Sequence, residues 1–277
     1  MLLSILLKKE KKLKTIAFAK RNIMEMIRDP LIYIFCISFP GIMIVLFSMI
    51  NHYSGNTTMQ FEFKSLIPGI LVFSYTFVML LMSLLVSNDR KTSLLKRLYI
   101  STMKPINFIL GYVMPGALVG IIQSIFCVLL GYIISLILKA EYFSFIKSFY
   151  LILSQLPMLI ICIFLGIFIG SIFNEKSAPG ITSIFISLSG IFGGCWMPID
   201  TMGDFEKFCQ IFPFYPSVYW GRIISEAEHT PLDITNSQII KYEFDSVAQL
   251  GFIPVGIFFI ASILLAYLVF KRQMTYR

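Results

Sequence analysis

The chain has 277 residues, of which 57% are apolar, 15% aromatic and only 14% charged. Soluble domains carry about a quarter charged residues, so this composition excludes a soluble globular fold and points to an integral membrane protein. The net charge of +8 reads as Lys and Arg retained on one side of a membrane rather than as a nucleic-acid footprint.

The chain opens with an apolar hexad followed by Lys8, Lys9, Lys11, Lys12 and Lys14, the reverse of the charge-then-apolar order of a cleaved signal. Over 15–28 a helical wheel puts Ile16, Ala19, Ile23, Met26 and Ile27 on one side and Arg21, Glu25 and Arg28 on the other, with Phe18 and Lys20 out of place. That pattern suits an amphipathic helix lying in the membrane interface. Asp29-Pro30 ends it, because the residue before a proline is pushed out of the helical region.

Six apolar runs follow, at 31–50, 66–87, 108–138, 149–173, 178–197 and 250–270, each long enough for the roughly 20 residues that cross a hydrocarbon core. The third is overlong and holds Pro115 and Gly116, so a kink or an interfacial start is expected there. With the N-terminus inside, 17 of the 23 Lys and Arg fall on the cytosolic side, as the positive-inside rule requires. The expected fold is all-α: six transmembrane helices preceded by an amphipathic interfacial helix, with both termini cytosolic.

Between the second and third runs lies a basic island, 88–111. Asp89, Arg90, Lys91, Lys96, Arg97 and Lys104 sum to +4, and Leu94, Leu95 and Leu98 share one face of a short helix, which makes a handle for a soluble partner. The loop 198–249 carries 8 of the 15 acids. Its first part crowds Phe208, Phe212, Phe214, Tyr215, Tyr219 and Trp220 around Pro213 and Pro216, as a broken, re-entrant helix in the outer interface would. Residues 226–246 read as a small solvated cap.

The six runs contain no Asp, Glu, Lys, Arg or His, whereas ion-coupled carriers need such groups at membrane depth. The chain also has no phosphate-loop motif, so it is expected to be no enzyme and to be driven by a separate ATPase. Its histidines, His52 and His229, fall in outer loops and leave Ser189 without a base for intramembrane hydrolysis; no H-E-x-x-H offers a metal site. Five cysteines occur without a C-x-x-C pair; Cys36, Cys127 and Cys162 sit in apolar runs, while Cys195 and Cys209 lie in or near the outer segment, where a disulfide can form. Three G-x-x-x-G pairs, Gly116 with Gly120, Gly166 with Gly170 and Gly190 with Gly194, serve either a dimer seam or packing within one bundle.

The run Ser93-Leu94-Leu95-Lys96-Arg97-Leu98, then Ser101, Pro105 and Gly111, resembles the cytosolic loop of the type-2 ABC exporter permeases, with Ser93 where that family usually has Gly and Thr102 where it usually has Pro. Arg28-Asp29-Pro30 resembles the family's elbow, and Pro68-Gly69 after Phe61 and Phe63 resembles its Pro-Gly after the first outer loop. Gly193-Gly194-Cys195-Trp196-Met197-Pro198, with Phe212-Pro213 and Tyr219-Trp220, is similar to the fifth-span exit of its multidrug and antibiotic-exporting branch.

The resemblance implies a dimer of permease subunits, identical or homologous, in a bacterial cell membrane. Each engages one of two cytosolic ATPase subunits, which carry the ATP and Mg; this chain holds no cofactor. It divides the chain into an elbow segment, 1–30, and a permease domain, 31–277, with a coupling loop at 88–107. It implies coupling to the ATPase through Asp89, Arg90, Leu94, Leu95, Lys96, Arg97, Leu98, Ser101 and Pro105. The second and fifth spans would line the path, offering Phe73, Phe77, Met82, Phe185, Ser189, Phe192 and Met197 to an amphipathic drug, antibiotic, peptide or lipid-like cargo. The alternative is a membrane scaffold or immunity protein that binds a peptide without moving it.

Overall fold

Prolines and paired glycines set where these helices begin, bend and stop. The computed structural model describes residues 2–55, 59–92, 105–229 and 240–275. Helix α1 (Leu2–Arg28) ends at Asp29, whose backbone is extended and whose carboxylate accepts the Leu31 N–H at 2.9 Å to start α2 (Pro30–Tyr53). Within α2 the turn over Tyr33–Ser38 widens to a π-turn just before Pro40, whose ring would otherwise press on the carbonyl of Cys36.

Three long helices come next: α3 (Phe63–Lys91), α4 (Pro105–Leu138) and α5 (Phe145–Ile172). After the shorter α6 (Ala178–Phe192) come α7 (Asp204–Cys209), α8 (Phe214–Ser225), a pair of two-residue antiparallel strands, β1 (Glu228–His229) and β2 (Ile240–Lys241), then α9 (Ser246–Leu250) and α10 (Phe252–Thr275). The protein is an all-α membrane protein, with five described helical segments long and apolar enough to cross a bilayer.

Two expectations are corrected. The fifth run, read as spanning 178–197, is helical only over its first 15 residues, a rise of about 22 Å against a hydrocarbon core of about 30 Å. Gly193-Gly194 stops it, Gly194 taking φ +62, a conformation that favours glycine. The second run extends by about a turn at each end, so Asn88 to Lys91 continue α3 instead of beginning a loop.

α3 is the spine. Apolar all round, it is buried along most of its length against α5, α6, α4 and α8. Close approach rests on small residues: a Cβ on Gly166 would lie 2.5 Å from the Met79 carbonyl oxygen, and one on Gly120 would lie 2.3 Å from Leu159 Cδ1. Gly116 likewise abuts Met82, and Gly170 the backbone of Ser83. All of these contacts lie within the one subunit.

α1, the last turn of α3, the first turn of α4 and the far ends of α5 and α10 gather at one end of the bundle, the elbow end. α7, α8, α9 and the strands form the opposite, cap end. There α8 inserts between α3 and α5, burying Phe214, Tyr215, Val218, Tyr219 and Gly221, with Gln155 Nε2 donating to the Ser217 carbonyl at 2.7 Å. Within 226–246, the described residues Glu226, Lys241, Glu243, Phe244 and Asp245 are exposed, while Ala227 and Tyr242 are buried. All five cysteines are buried and unbridged; Cys195 donates its S–H to the Gly69 carbonyl at 3.1 Å instead of bonding Cys209.

Candidate functional site

The elbow end is held by one buried charge. Asp89, on the last turn of α3, is fully buried and receives the Arg21 guanidinium of α1 on both oxygens, at 2.7 and 2.8 Å. The Tyr112 hydroxyl of α4 donates to the same carboxylate at 2.7 Å. A carboxylate taken out of water must be paired and hydrogen-bonded; Oδ2 accepts both hydrogen bonds, Oδ1 has only the ion pair, and the two donors bring α1, α3 and α4 together.

The face of α1 that packs is Thr15, Phe18, Ala19, Asn22 and Met26, an i, i+3, i+4, i+7 and i+11 stripe. The wheel grouped Ile16 and Ile27 with Ala19 and Met26 on one apolar side and set Phe18 out of place; the structure corrects the placing of Phe18, which is buried. Phe18 lies edge-on to Tyr112, ring centroids 5.0 Å apart, and covers Gly111, where a Cβ would sit 2.3 Å from its ring. Ile16 and Ile27 are about half exposed, on the side left to lipid. Asn22, fully buried, donates to the Gly111 carbonyl at 3.1 Å.

Ties at the same end reach the other helices. Arg21 also pairs with Glu25 at 2.5 Å, and Asn88 leans on Glu25 at 3.4 Å; burial lifts Glu25 above the usual carboxylate range, against the pull of Arg21. Arg90 donates to the carbonyls of Gly170 and Phe173 at 3.2 and 3.1 Å, closing the exposed end of α5. Lys91 pairs with Glu175 at 2.6 Å, and Gln273 donates to the Ser171 carbonyl at 2.7 Å. Between α1, α2 and α3 remains a cavity of about 150 Å³ lined by Met26, Leu31, Leu84 and Asn88 among others.

Of the residues expected to couple, Asp89 faces inward to Arg21, Arg90 caps α5, and Pro105 opens α4. Leu94, Leu95, Lys96, Arg97, Leu98 and Ser101 lie outside the described residues. Of those expected along a path, Phe73 packs edge-on to Trp196 at 4.7 Å, Phe77 beside Phe39 at 5.0 Å, and Met82 against Gly116. Ser189 is buried, Phe192 stacks on Phe212 at 4.9 Å, and Phe185 and Met197 are half-buried. The open face of α6 carries Gly180, Ser183, Ile184, Ser187 and Ile191.

The cap end has its own buried charge. Arg222 of α8 donates to the Gly194 carbonyl at 2.7 Å and to the Tyr242 hydroxyl at 3.2 Å, and pairs with Asp200 at 3.5 Å. Tyr215 and Tyr242 both donate to Asp200, Tyr215 also reaches Glu206 at 3.0 Å, and Gln60 donates to Gly194 as well. The double-glycine turn is thereby fixed to the cap, and Gly69 meets it closely enough that a Cβ would lie 3.0 Å from Cys195 Cα. Pro68-Gly69 and the Gly193 to Pro198 run, far apart in sequence, are one contact in space.

Burial raises Glu206 above its ordinary value of 4.5, and Asp200 adds to that. An acid raised in the native state contributes stability that is complete below its unfolded value and is lost as pH climbs through the native one. The melting temperature of the wild type relative to Glu206→Gln is therefore expected to fall as the pH rises above 4.5. A pH-independent difference between the two melts would exclude this role.

Arg21, Asn22, Tyr112, Asp200 and Arg222 were not singled out from the sequence as a site. One local signal existed: Pro115 lies four residues after Gly111, whose carbonyl Asn22 takes. A family model described as ABC-2 type transporter matches residues 14–225. The chain belongs to the ABC-2 type transporter family. No curated protein matches it. The matched stretch runs from within α1 to the last residue of α8, so it contains both buried-charge clusters except Tyr242. The protein is thus a permease subunit of an ABC transporter, a kind of membrane domain that works with an ATP-binding subunit.

Proposed function

We propose that this permease is the membrane half of an ATP-driven exporter in a bacterial cell membrane, moving an amphipathic drug, antibiotic, peptide or lipid-like cargo outward. Its elbow end faces the cytosol, because the sequence segments assigned to that side hold 17 of the 23 Lys and Arg. ATP and Mg bind to the partner, one ATPase under each of two permease subunits. The second subunit packs on the open α6 face, whose Gly180, Ser183 and Ser187 admit close helix approach.

The observation that carries this reading is the Arg21–Asp89–Tyr112 cluster, which ties α1, α3 and α4 together at the root of the segment 93–104. A push from an ATPase on that segment reaches three helices at once, and the bundle is the element with two packings. Reconstitution of the chain with its ATPase in vesicles tests it. The expected result is ATP-dependent export of a fluorescent amphiphile that neither protein supports alone; movement driven by an ion gradient without the ATPase overturns the reading, and peptide binding without transport favours a scaffold.

A further inference from the structure

α4 carries Pro115 in its interior. Proline has no N–H, so the Gly111 carbonyl, four residues back, loses its helical donor. An unpaired carbonyl within a membrane helix is costly, and side chains of neighbouring helices are what restore the bond. Asn22 of α1 is that side chain here: fully buried, with Nδ2 3.1 Å from the Gly111 oxygen. The device occurs twice in the fold. Pro68 of α3 frees the Lys64 carbonyl, and the Ser225 hydroxyl of α8 donates to it.

The surroundings of the two sites differ. At Gly111 the next residue is Tyr112, held by Asp89 and through it by Arg21, and Phe18 covers the glycine itself. Residues 18, 21 and 22 of α1 therefore grip the part of α4 that precedes the proline. Beyond the proline, Gly116 and Gly120 lock α4 onto Met82, Ile163 and Leu159. The cavity of about 150 Å³ beside Met26 leaves α1 room on its other side.

We infer that Asn22 is a positioning residue of the transport cycle. α1 and the segment 105–114 form one lever, hinged at Pro115, and Asn22 joins the two by supplying the hydrogen bond that the proline removes. Displacement of α1 carries 105–114 with it through that bond and the Tyr112 contact, bending α4 at Pro115 while 116–138 stays packed on α5. This rests on the coupling role given to the elbow end, but its first test does not.

That test is a mutant cycle on the purified permease alone, read by the rate of proteolytic release of α1. Asn22→Ala raises the rate about fivefold, the factor that one buried hydrogen bond is worth. Pro115→Ala restores an N–H to Gly111, so in Asn22→Ala/Pro115→Ala the rate returns to that of Pro115→Ala. Independent, multiplying effects of the two changes overturn the pairing. Asn22→Ser, which keeps a short donor, replaces Asn22→Ala if the latter does not accumulate.

The second test adds the ATPase. Pro115→Ala, with a regular helix in place of the hinge, keeps KM for ATP but loses most permease-stimulated turnover. Full stimulation by Pro115→Ala overturns the lever. A wild type that neither stimulates nor transports would sink the exporter reading, while the mutant cycle would still decide the pairing.

Discussion

Arg222→Ala is expected to open the cap while leaving the transmembrane bundle folded. The guanidinium is fully buried and holds the Gly194 carbonyl, Tyr242 and Asp200 together. Removing one partner of a buried pair leaves the other charge uncompensated, which costs about 3–5 kcal/mol. The Tyr215 and Tyr242 hydroxyls still donate to Asp200, so the lower end of that range applies. Arg222→Lys restores little, because an ammonium cannot fork to Gly194 and Asp200 at once. Limited proteolysis of 226–246 measures it: rapid cutting with the helical circular dichroism intact is the expected result, and a cap as resistant as the wild type would remove the clamp.

Arg21→Met is the second large effect. It strands Asp89, buried at the base of α3 with Tyr112 as its remaining donor. Arg21 is itself 39% exposed, so water screens the pair and the expected destabilisation is about 2 kcal/mol, below that of a fully buried pair. The functional loss is larger than the loss of stability, because α1 no longer moves with α3. Asp89→Asn in the Arg21→Met background removes the stranded charge and recovers most of the thermal stability. Stimulation of the ATPase stays low in both. Recovery of stimulation together with stability would make the pair a matter of folding alone.

The spans were legible because apolar runs without ionisable residues have one home, and the elbow because Asp29-Pro30 ends a helix by stereochemistry. The face of α1 was not. In lipid an exposed isoleucine costs nothing, so Ile16 and Ile27 carried no information about packing, and the contacts that decided the matter were one aromatic ring on a glycine and one amide on a proline-freed carbonyl. Asp89 was read as a loop charge since charge usually marks water; its partner stands 68 residues away, and no local pattern joins them. The acids of the 198–249 loop were visible, but that Asp200 is satisfied by Arg222 and two tyrosines follows from α8 folding back into the bundle. The double glycine that shortens α6 was in view in the run likened to a fifth-span exit, but the span was carried past it to 197.

The central claim is that α1 and the base of the bundle move as one body when the ATPase changes state. All five native cysteines are buried, so spin labels can be set selectively at Ile16→Cys on the exposed face of α1, Lys91→Cys at the end of α3 and Lys207→Cys in the cap. Pulsed distance measurements on the complex with the ATPase, with and without ATP, are expected to leave the 16–91 distance unchanged and to shift the 16–207 distance. A 16–207 distance that stays fixed through the nucleotide cycle, or an α1 that parts from Lys91, would contradict the account.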